Sequence, residues 1–187
     1  MLKHLTFVIQ KHDATSLHFD FRLEVNGKMP SWAIPKGPTL DNSIKRLAFK
    51  VEDHDLKYQH FEGNLKEGGY GAGPVMIWDN GFYIPEVEIS KGVRKQIKDL
   101  KTGQKIMADA LKKGEIKFFL NGKKIKGSFA LVKTKGFPPG KSENAWLLIK
   151  HNDQFVQPNF DAKDKSLDYS VVSKKTLDEI ATLNRPQ

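Results

Sequence analysis

The stretch LHFDFRLEV, Leu17 to Val25, constrains the fold more than any other part of the sequence. Apolar residues take every odd position and polar residues every even position, and this period of two is typical of a β-strand. Asn26-Gly27 follows, a dipeptide that strongly favours a two-residue β-hairpin. The polar side carries a histidine, an aspartate and an arginine in consecutive positions. We therefore predict a strand with one side in the core and a chemically unusual other side.

Short strands and turns of the same kind follow along most of the chain. They are LTFVIQ, SWAIPKGP, RLAFKVEDH, VMIWDNGFYIPEVEI, EIKFFLNGKKIKGSFALVKT and AWLLIKH. Antiparallel strands at such close spacing predict a mainly β fold, an antiparallel β-barrel with a few flanking helices. A turn is expected around KHDATS, which would place His12 in a loop. In RLAFKVEDH the alternation predicts that Arg46, Lys50, Glu52 and His54 share one side of a strand.

Helices are expected at three places. VRKQIKDL and IMADALKK have apolar residues three and four positions apart, and Gly114 after the second is a plausible C-cap. Thr176 and Glu179 form a capping-box pattern ahead of a third. With 187 residues, we predict one domain over 1–187, with a core at about 7–151 and a C-terminal helical tail at about 168–187.

Composition limits the partners and the kinds of metal site. The formal net charge of +9 favours phosphate polymers or anionic surfaces, although lysine-rich surfaces also serve solubility. Because there is no cysteine, a metal would need histidine, carboxylate or backbone oxygen ligands. No signal-peptide core and no run of about 18 apolar residues is present, so we expect a cytoplasmic protein without a membrane segment.

The polar side of the strand LHFDFRLEV indicates a metal site. His18 and Asp20 lie about 7 Å apart on one side of a strand, and a neighbouring turn would bring His12 next to them. Two imidazoles and a carboxylate suit Mn²⁺, Fe²⁺ or Zn²⁺. The alternative is that His12 is a turn residue and that the other two lie on a solvated face.

Cations near this group favour a phosphate ligand. Arg22 is next on the same side, and His54 ends the second charged strand. An arginine binds two phosphate oxygens through its planar fork, and cations stabilise the charge that develops in phosphoryl transfer. The alternative is ordinary ion pairing on an exposed sheet, which we favour for Lys50.

The order of the motifs resembles one known family. FVIQKHDATSLHFDFRLE, SWAIPKGP, RLAFKVEDH, FEGNLKEGGYGAGPVMIWDNG, KGSFALV and WLLIKH are similar, in that order, to the 3′-phosphoesterase domain of bacterial DNA ligase D. The resemblance runs from about Phe7 to His151. It implies a β-barrel metalloenzyme that processes 3′ ends at DNA breaks during non-homologous end joining. Because Met1 lies close to the first motif and no polymerase or ligase segment follows, we expect a stand-alone member.

The resemblance also implies roles for individual residues. His12, His18 and Asp20 match the ligands of Mn²⁺, with other divalent metals left open. Residues at the scissile phosphate, with catalytic or binding roles, are matched by Arg22, His54 and Tyr58. Further functional positions are matched by Lys36 and Arg46, for binding phosphate or DNA, and by Glu52, for catalysis.

The implied reaction has two stages. A phosphodiesterase step removes a 3′-terminal ribonucleoside, and a phosphomonoesterase step then converts the 3′-phosphate to a 3′-OH. Implied partners are DNA or mixed RNA/DNA 3′ ends on a primer-template, together with a separate ligase, polymerase and Ku, and we expect a monomer. Two rival hypotheses are a non-catalytic DNA-end-binding module of the same fold that recruits polymerase or ligase, and a phosphoesterase of small nucleotides.

Two departures from the family pattern stand out. The short N-terminus lacks the arm that contributes to ribonucleoside removal in larger members, which leaves the diesterase step open. The segment VRKQIKDLKTGQKIMADALKK, residues 93–113, is longer and more basic than expected, and either grips a duplex or caps the barrel.

Overall fold

A computed structural model describes residues 4–65, 71–136, 138 and 143–183. The strands in this part of the chain are β1 Leu5–Asp13, β2 Leu17–Leu23, β3 Lys28–Ile34, β4 Lys45–Asp55, β5 Gly63–Leu65, β6 Gly73–Ser90, β7 Val93–Gln96, β8 Glu115–Gly122, β9 Lys126–Lys133 and β10 Ala145–Lys150. The α-helices are α1 Leu100–Lys113 and α2 Leu177–Thr182, and short 3₁₀ helices cover Leu56–His60 and Lys165–Leu167. Within these described residues, neither α-helix has the length and hydropathy needed to span a membrane.

The main sheet closes on itself. Its antiparallel order is β1-β2-β3-β4-β10-β9-β8-β6, and β6 pairs in turn with β1. β5 and β7 pair with β6 outside this ring. The predicted mainly β, antiparallel fold with few helices is confirmed.

Alternation in the strands places the apolar side chains inside the ring. Phe19, Phe21 and Leu23, the odd positions of β2, are each fully buried. They join one cluster to which all eight strands of the ring contribute, with Phe7, Trp32, Ala48, Trp78, Phe118, Phe129 and Trp146 among its members. Because every strand of the ring contributes side chains to this cluster, the cluster fills the inside of the ring. The even positions of β2 therefore lie on the outer side of the ring.

The segment 93–113 is part strand and part helix. The prediction of a helix over VRKQIKDL was wrong, because Val93–Gln96 pairs with β6 and α1 begins only at Leu100. Asp99 sets that start, since its carboxylate accepts a hydrogen bond from the Thr102 N–H at 2.8 Å. Met107 is fully buried in the barrel core, so α1 packs against the barrel. This agrees with the expectation that the segment caps the barrel.

The other helix predictions were correct. α1 ends at Gly114, whose φ of 80° is the left-handed conformation of a C-cap. α2 begins at Thr176 with the predicted capping box to Glu179. Residues 184–187 of the predicted tail lie outside the described residues.

A second, smaller apolar cluster lies on the outer side of the ring. Val8, Met29 and Ile77 are buried there beneath Val171 of the C-terminal segment, and Leu56 packs against them. The Val171 N–H donates to the Ile77 carbonyl at 3.0 Å, which ties the segment to β6. This cluster supports the 3₁₀ helix Leu56–His60 beside the polar side of β1 and β2.

Candidate active site

Three predicted metal ligands come together on neighbouring strands. His12 lies opposite His18 in the pairing of β1 with β2, and their ring centroids are 4.9 Å apart. Asp20 Oδ2 is 3.7 Å from His12 Nδ1, and its Oδ1 is 3.5 Å from His18 Nε2. The expected turn around KHDATS begins later than predicted, because β1 continues to Asp13 and holds His12 within the strand.

Burial excludes the solvated-face alternative for Asp20, and the extent of β1 excludes the turn alternative for His12. His12 is 6% exposed and Asp20 is 7% exposed, whereas His18 is partly accessible. His12 Nε2 is buried and has no hydrogen-bond partner among the described residues. One candidate ligand atom from each residue lies within 4.8 Å of the others. An unpartnered buried nitrogen beside a carboxylate is what a divalent cation would satisfy, so these residues fit a metal.

Hydrogen bonds prepare two of these residues for coordination. His18 Nδ1 donates to the Ser16 carbonyl oxygen at 2.8 Å, which fixes the ring with Nε2 directed at Asp20. Burial acts to raise the pKa of Asp20, but hydrogen bonds from His12 and His18 and the Arg22 charge outweigh it, and the pKa falls well below its ordinary value. Asp20 is therefore anionic at neutral pH, as a candidate metal ligand needs to be.

Arg22 joins the metal group to the second half of the site. Its guanidinium is almost fully buried and donates from Nη2 to Asp20 Oδ2 at 2.9 Å and from Nε to Gln10 Oε1 at 2.7 Å. Its Nη1 lies 3.0 Å from His54 Nδ1. The guanidinium carbon also lies 4.9 Å from the centroid of the Tyr58 ring. One side chain thus contacts the candidate metal ligand and both candidate phosphate residues.

Gln10 is a site residue that the sequence reasoning missed. Besides accepting from Arg22, it donates from Nε2 to the carbonyls of Tyr58 at 3.1 Å and Phe61 at 2.9 Å. It therefore ties the 3₁₀ helix to β1. Gln10 is two residues before His12 on the same side of a strand, so correct strand assignment for His12 would have found it.

His54 and Tyr58 form the open part of the site. Their ring centroids are 4.7 Å apart, and Phe61 stacks on Tyr58 at 5.2 Å. All three side chains are partly exposed. Burial and the Arg22 charge lower the pKa of His54, and burial raises the pKa of Tyr58. Both groups are therefore neutral at neutral pH.

A β-bulge separates His54 from the residues predicted to share its side. Ser31 lies opposite Val51 and Met29 lies opposite His54, so β4 has one extra residue between the two pairs. This extra residue turns His54 to the outer side of the ring with Arg22. Arg46 lies before the bulge, opposite the core residue Leu148, and remains on the core-facing side. The prediction that Arg46 and His54 share one side of the strand was wrong.

Three other predicted residues do not contact the metal group. Lys50 forms an ion pair with Asp53 at 2.5 Å. Ion pairing is the alternative that was favoured for this residue. The Glu52 side chain is exposed, and its backbone carbonyl lies 3.0 Å from His54 Nδ1. Lys36 is exposed in the turn after β3. The functional roles of Lys36, Arg46 and Glu52 stay predictions.

The lowered pKa of His54 gives a testable pH dependence. We expect its NMR titration midpoint below the ordinary 6.5, and we expect Arg22→Gln to raise that midpoint by removing a neighbouring positive charge. Because unfolded histidine takes up a proton at higher pH than native His54 does, this residue's contribution to stability is complete above about pH 6.5 and is lost as the pH falls. Arg94→Gln is the matched control, and a midpoint at or above 6.5 would contradict the assignment.

Comparisons with known proteins point to one family. Residues 10–133 match the family model described as the DNA ligase D 3′-phosphoesterase domain. The chain is 41% identical over 175 residues to the multifunctional non-homologous end joining protein LigD of Pseudomonas aeruginosa, covering 92% of this chain. It is 38% identical over 156 residues, or 83% of this chain, to the multifunctional non-homologous end joining DNA repair protein LigD of Mycobacterium tuberculosis.

These relatives are much longer proteins. The chain spans 18% of the Pseudomonas protein and 17% of the mycobacterial one. The similarity therefore covers one part of each relative, and it includes every residue of the candidate site from Gln10 to Phe61 within the region matched by the family model.

Proposed function

Because the chain belongs to the DNA ligase D 3′-phosphoesterase domain family, we propose that it is a metal-dependent phosphoesterase that processes 3′ ends of DNA. It would remove a 3′-phosphate, and a 3′-terminal ribonucleoside before it where one is present, to leave a 3′-OH for end joining. The observation that carries this proposal is the direct contact of Arg22 with both Asp20 and His54. That contact connects a metal-binding group to groups suited to a phosphate.

His12, His18 and Asp20 would hold the metal, which we propose to be Mn²⁺, with other divalent ions as alternatives. A bound divalent ion would polarise a phosphate oxygen or lower the pKa of a bound water. The carboxylate and the two imidazoles of this group form a mixed oxygen and nitrogen donor set, which Mn²⁺ accepts. The Arg22 fork would keep the carboxylate oriented.

Arg22 and His54 would bind the phosphate. Arg22 Nη1 faces the open side of the site beside His54, where its positive charge would stabilise negative charge that develops on the phosphate oxygens. Tyr58 keeps its proton at neutral pH because burial raises its pKa. We propose that His54 or Tyr58 donates a proton to the leaving oxygen, since both are partly exposed beside Arg22.

The proposed substrates are DNA or mixed RNA/DNA primer-template ends. A separate ligase, polymerase and Ku are the proposed partners, because the relatives are described as non-homologous end joining proteins. We propose that the protein acts as a monomer.

A gel assay on 5′-labelled primer-templates tests the function. The primers end in a 3′-phosphate or in one 3′-ribonucleotide, and reactions contain Mn²⁺, Mg²⁺, Zn²⁺ or EDTA. We expect the 3′-phosphate to become a 3′-OH only with metal, and we expect His18→Ala to lose this conversion. The ribonucleotide lane measures the diesterase step separately.

Controls distinguish the rival functions. DNA that shifts on a native gel without any change of its 3′ end would replace the enzyme by an end-binding module. Comparable turnover of a nucleoside 3′-monophosphate would indicate a small-nucleotide phosphoesterase. Near-wild-type rates in both His54→Ala and Tyr58→Phe would contradict the proposed proton donors.

A further inference from the structure

A two-stranded ribbon extends from the barrel on the far part of β6. Residues 86–90 of this strand pair with β7, whereas the ring uses β6 only as far as Pro85. Lys91 and Gly92 form the turn, and the chain then continues through Lys98 into α1. We name residues 89–105, which comprise the tip of the ribbon, β7 and the first turns of α1, the basic arm.

The basic arm carries a large part of the protein's charge. Its cations are Lys91, Arg94, Lys95, Lys98, Lys101 and Lys105, and its one acidic residue is Asp99. These 17 residues hold a net charge of +5 out of +9 for the whole chain. Such a concentration of charge along one projecting segment is typical of a surface that binds a phosphate polymer.

Most of these cations are not used within the fold. Of the six cations only Arg94 pairs with an acidic residue of the ribbon, Glu86, whereas Glu88 pairs with Lys117 outside the basic arm. The lysines at positions 91, 95, 98, 101 and 105 are exposed, and within the described part of the chain they form no ion pair. Their charges are therefore available to an external anion.

The tip of the ribbon also exposes two apolar side chains. Ile89 is 63% exposed and Val93 is 50% exposed, on either side of the turn that contains Lys91. A two-stranded ribbon fits the major groove of DNA, and apolar side chains beside cations serve as wedges in the minor groove. Charge complementarity and shape thus favour one occupant, double-stranded DNA.

We propose that the basic arm is a second DNA-binding surface, which holds the duplex flanking the 3′ end that the metal group processes. This inference rests on the proposed function for the position of the 3′ end. It adds a contact remote from the chemistry, made to the phosphate backbone without sequence preference.

The length of β6 sets the reach of this contact. Val75 lies opposite His12 at the metal group, and Ser90 is at the tip of the ribbon, fifteen residues further along the strand. At about 3.3 Å per residue this is at most about 50 Å, or about 15 base pairs of duplex. The basic arm should therefore contribute to binding of long duplexes and not to binding of short ones.

Binding measurements on two duplex lengths test the proposal. We would compare wild type with Lys91→Ala/Lys95→Ala/Lys98→Ala by fluorescence anisotropy on 3′-phosphate duplexes of about 8 and 24 base pairs. We expect the variant to bind the long duplex about 10-fold to 100-fold more weakly and the short one unchanged. The slope of log K against log salt on the long duplex should become shallower by about 2.7.

A matched variant controls for the loss of charge. Lys45→Ala/Lys163→Ala/Lys165→Ala removes three exposed lysines elsewhere and should bind both duplexes nearly as wild type does. Ile89→Ser tests the apolar tip and should weaken only the long duplex. Circular dichroism melts verify that each variant folds.

Three results would overturn the proposal. The first is unchanged binding of the long duplex by the triple lysine variant, and the second is equal weakening on both lengths. The third is self-association of the wild type that Ile89→Ser abolishes, which would identify the tip as a contact between copies. Because anisotropy without metal requires no turnover, failure of the proposed enzymatic function would leave these readings intact.

Discussion

Replacing Asp20 with asparagine should reduce metal-dependent turnover of a DNA 3′-phosphate by about 1,000-fold. Asparagine preserves the size of the side chain but removes the negative charge between His12, His18 and Arg22. A divalent cation would lose its one anionic ligand, and the buried guanidinium would lose its charge partner. Initial rates and a Mn²⁺ titration followed by electron paramagnetic resonance measure the two losses separately.

An exposed carboxylate provides the control for this variant. Asp55 forms an ion pair with Lys28 at the surface, and its side chain is 78% exposed. Asp55→Asn removes the same charge and should leave turnover and Mn²⁺ affinity within about twofold of wild type. Wild-type rates and metal affinity in Asp20→Asn would remove the metal group from the mechanism.

Arg22→Lys should lower kcat/KM by about 100-fold and the free energy of unfolding by about 2 kcal/mol. Lysine keeps the charge, but its single ammonium group cannot reproduce the planar fork that reaches Asp20, Gln10 and His54 together. At least one buried polar group would then lack its partner. Steady-state kinetics and urea denaturation measure the two effects.

Arg94→Lys separates catalysis from stability in this comparison. Arg94 is also largely buried, and it contacts Glu86 and Ser128 away from the metal group. Its replacement should reduce stability while kcat/KM on a short 3′-phosphate duplex, which the basic arm does not reach, stays near wild type. If Arg22→Lys lost stability only, with full kcat/KM, the phosphate-binding role of the fork would be wrong.

The period-two pattern of β2 predicted both the fold and the centre of the site. One side of this strand had to face a core, and the other then brought His18, Asp20 and Arg22 together. The same reasoning was wrong for β4, because a bulge adds one residue between Val51 and His54 and reverses the alternation. A bulge depends on pairing with a neighbour, and the alternation of a single strand contains no information about it.

Pairing also decided the segment that was predicted as a helix. Val93 and its neighbours have a spacing compatible with a helix, but they lie beside β6 and complete a ribbon with it. Local preference for helix is weak and is overridden by such contacts. Gln10 was missed because the predicted strand ended before His12, whereas β1 continues to Asp13. The prediction therefore did not show that Gln10 and His12 lie on the same side of one strand.

The seam between β4 and β10 has a consequence for how the chain folds. Phe49 lies opposite Ala145 and Lys45 opposite Ile149, pairs that are about 100 residues apart. The strands β1 to β4, in contrast, are joined in succession and contain the candidate site between Gln10 and His54. Because long loops close slowly, a nascent chain can pair these early strands well before β10 arrives. We therefore expect the site residues of β1 to β4 to meet early in folding, whereas the barrel around them is completed only when β10 pairs with β4.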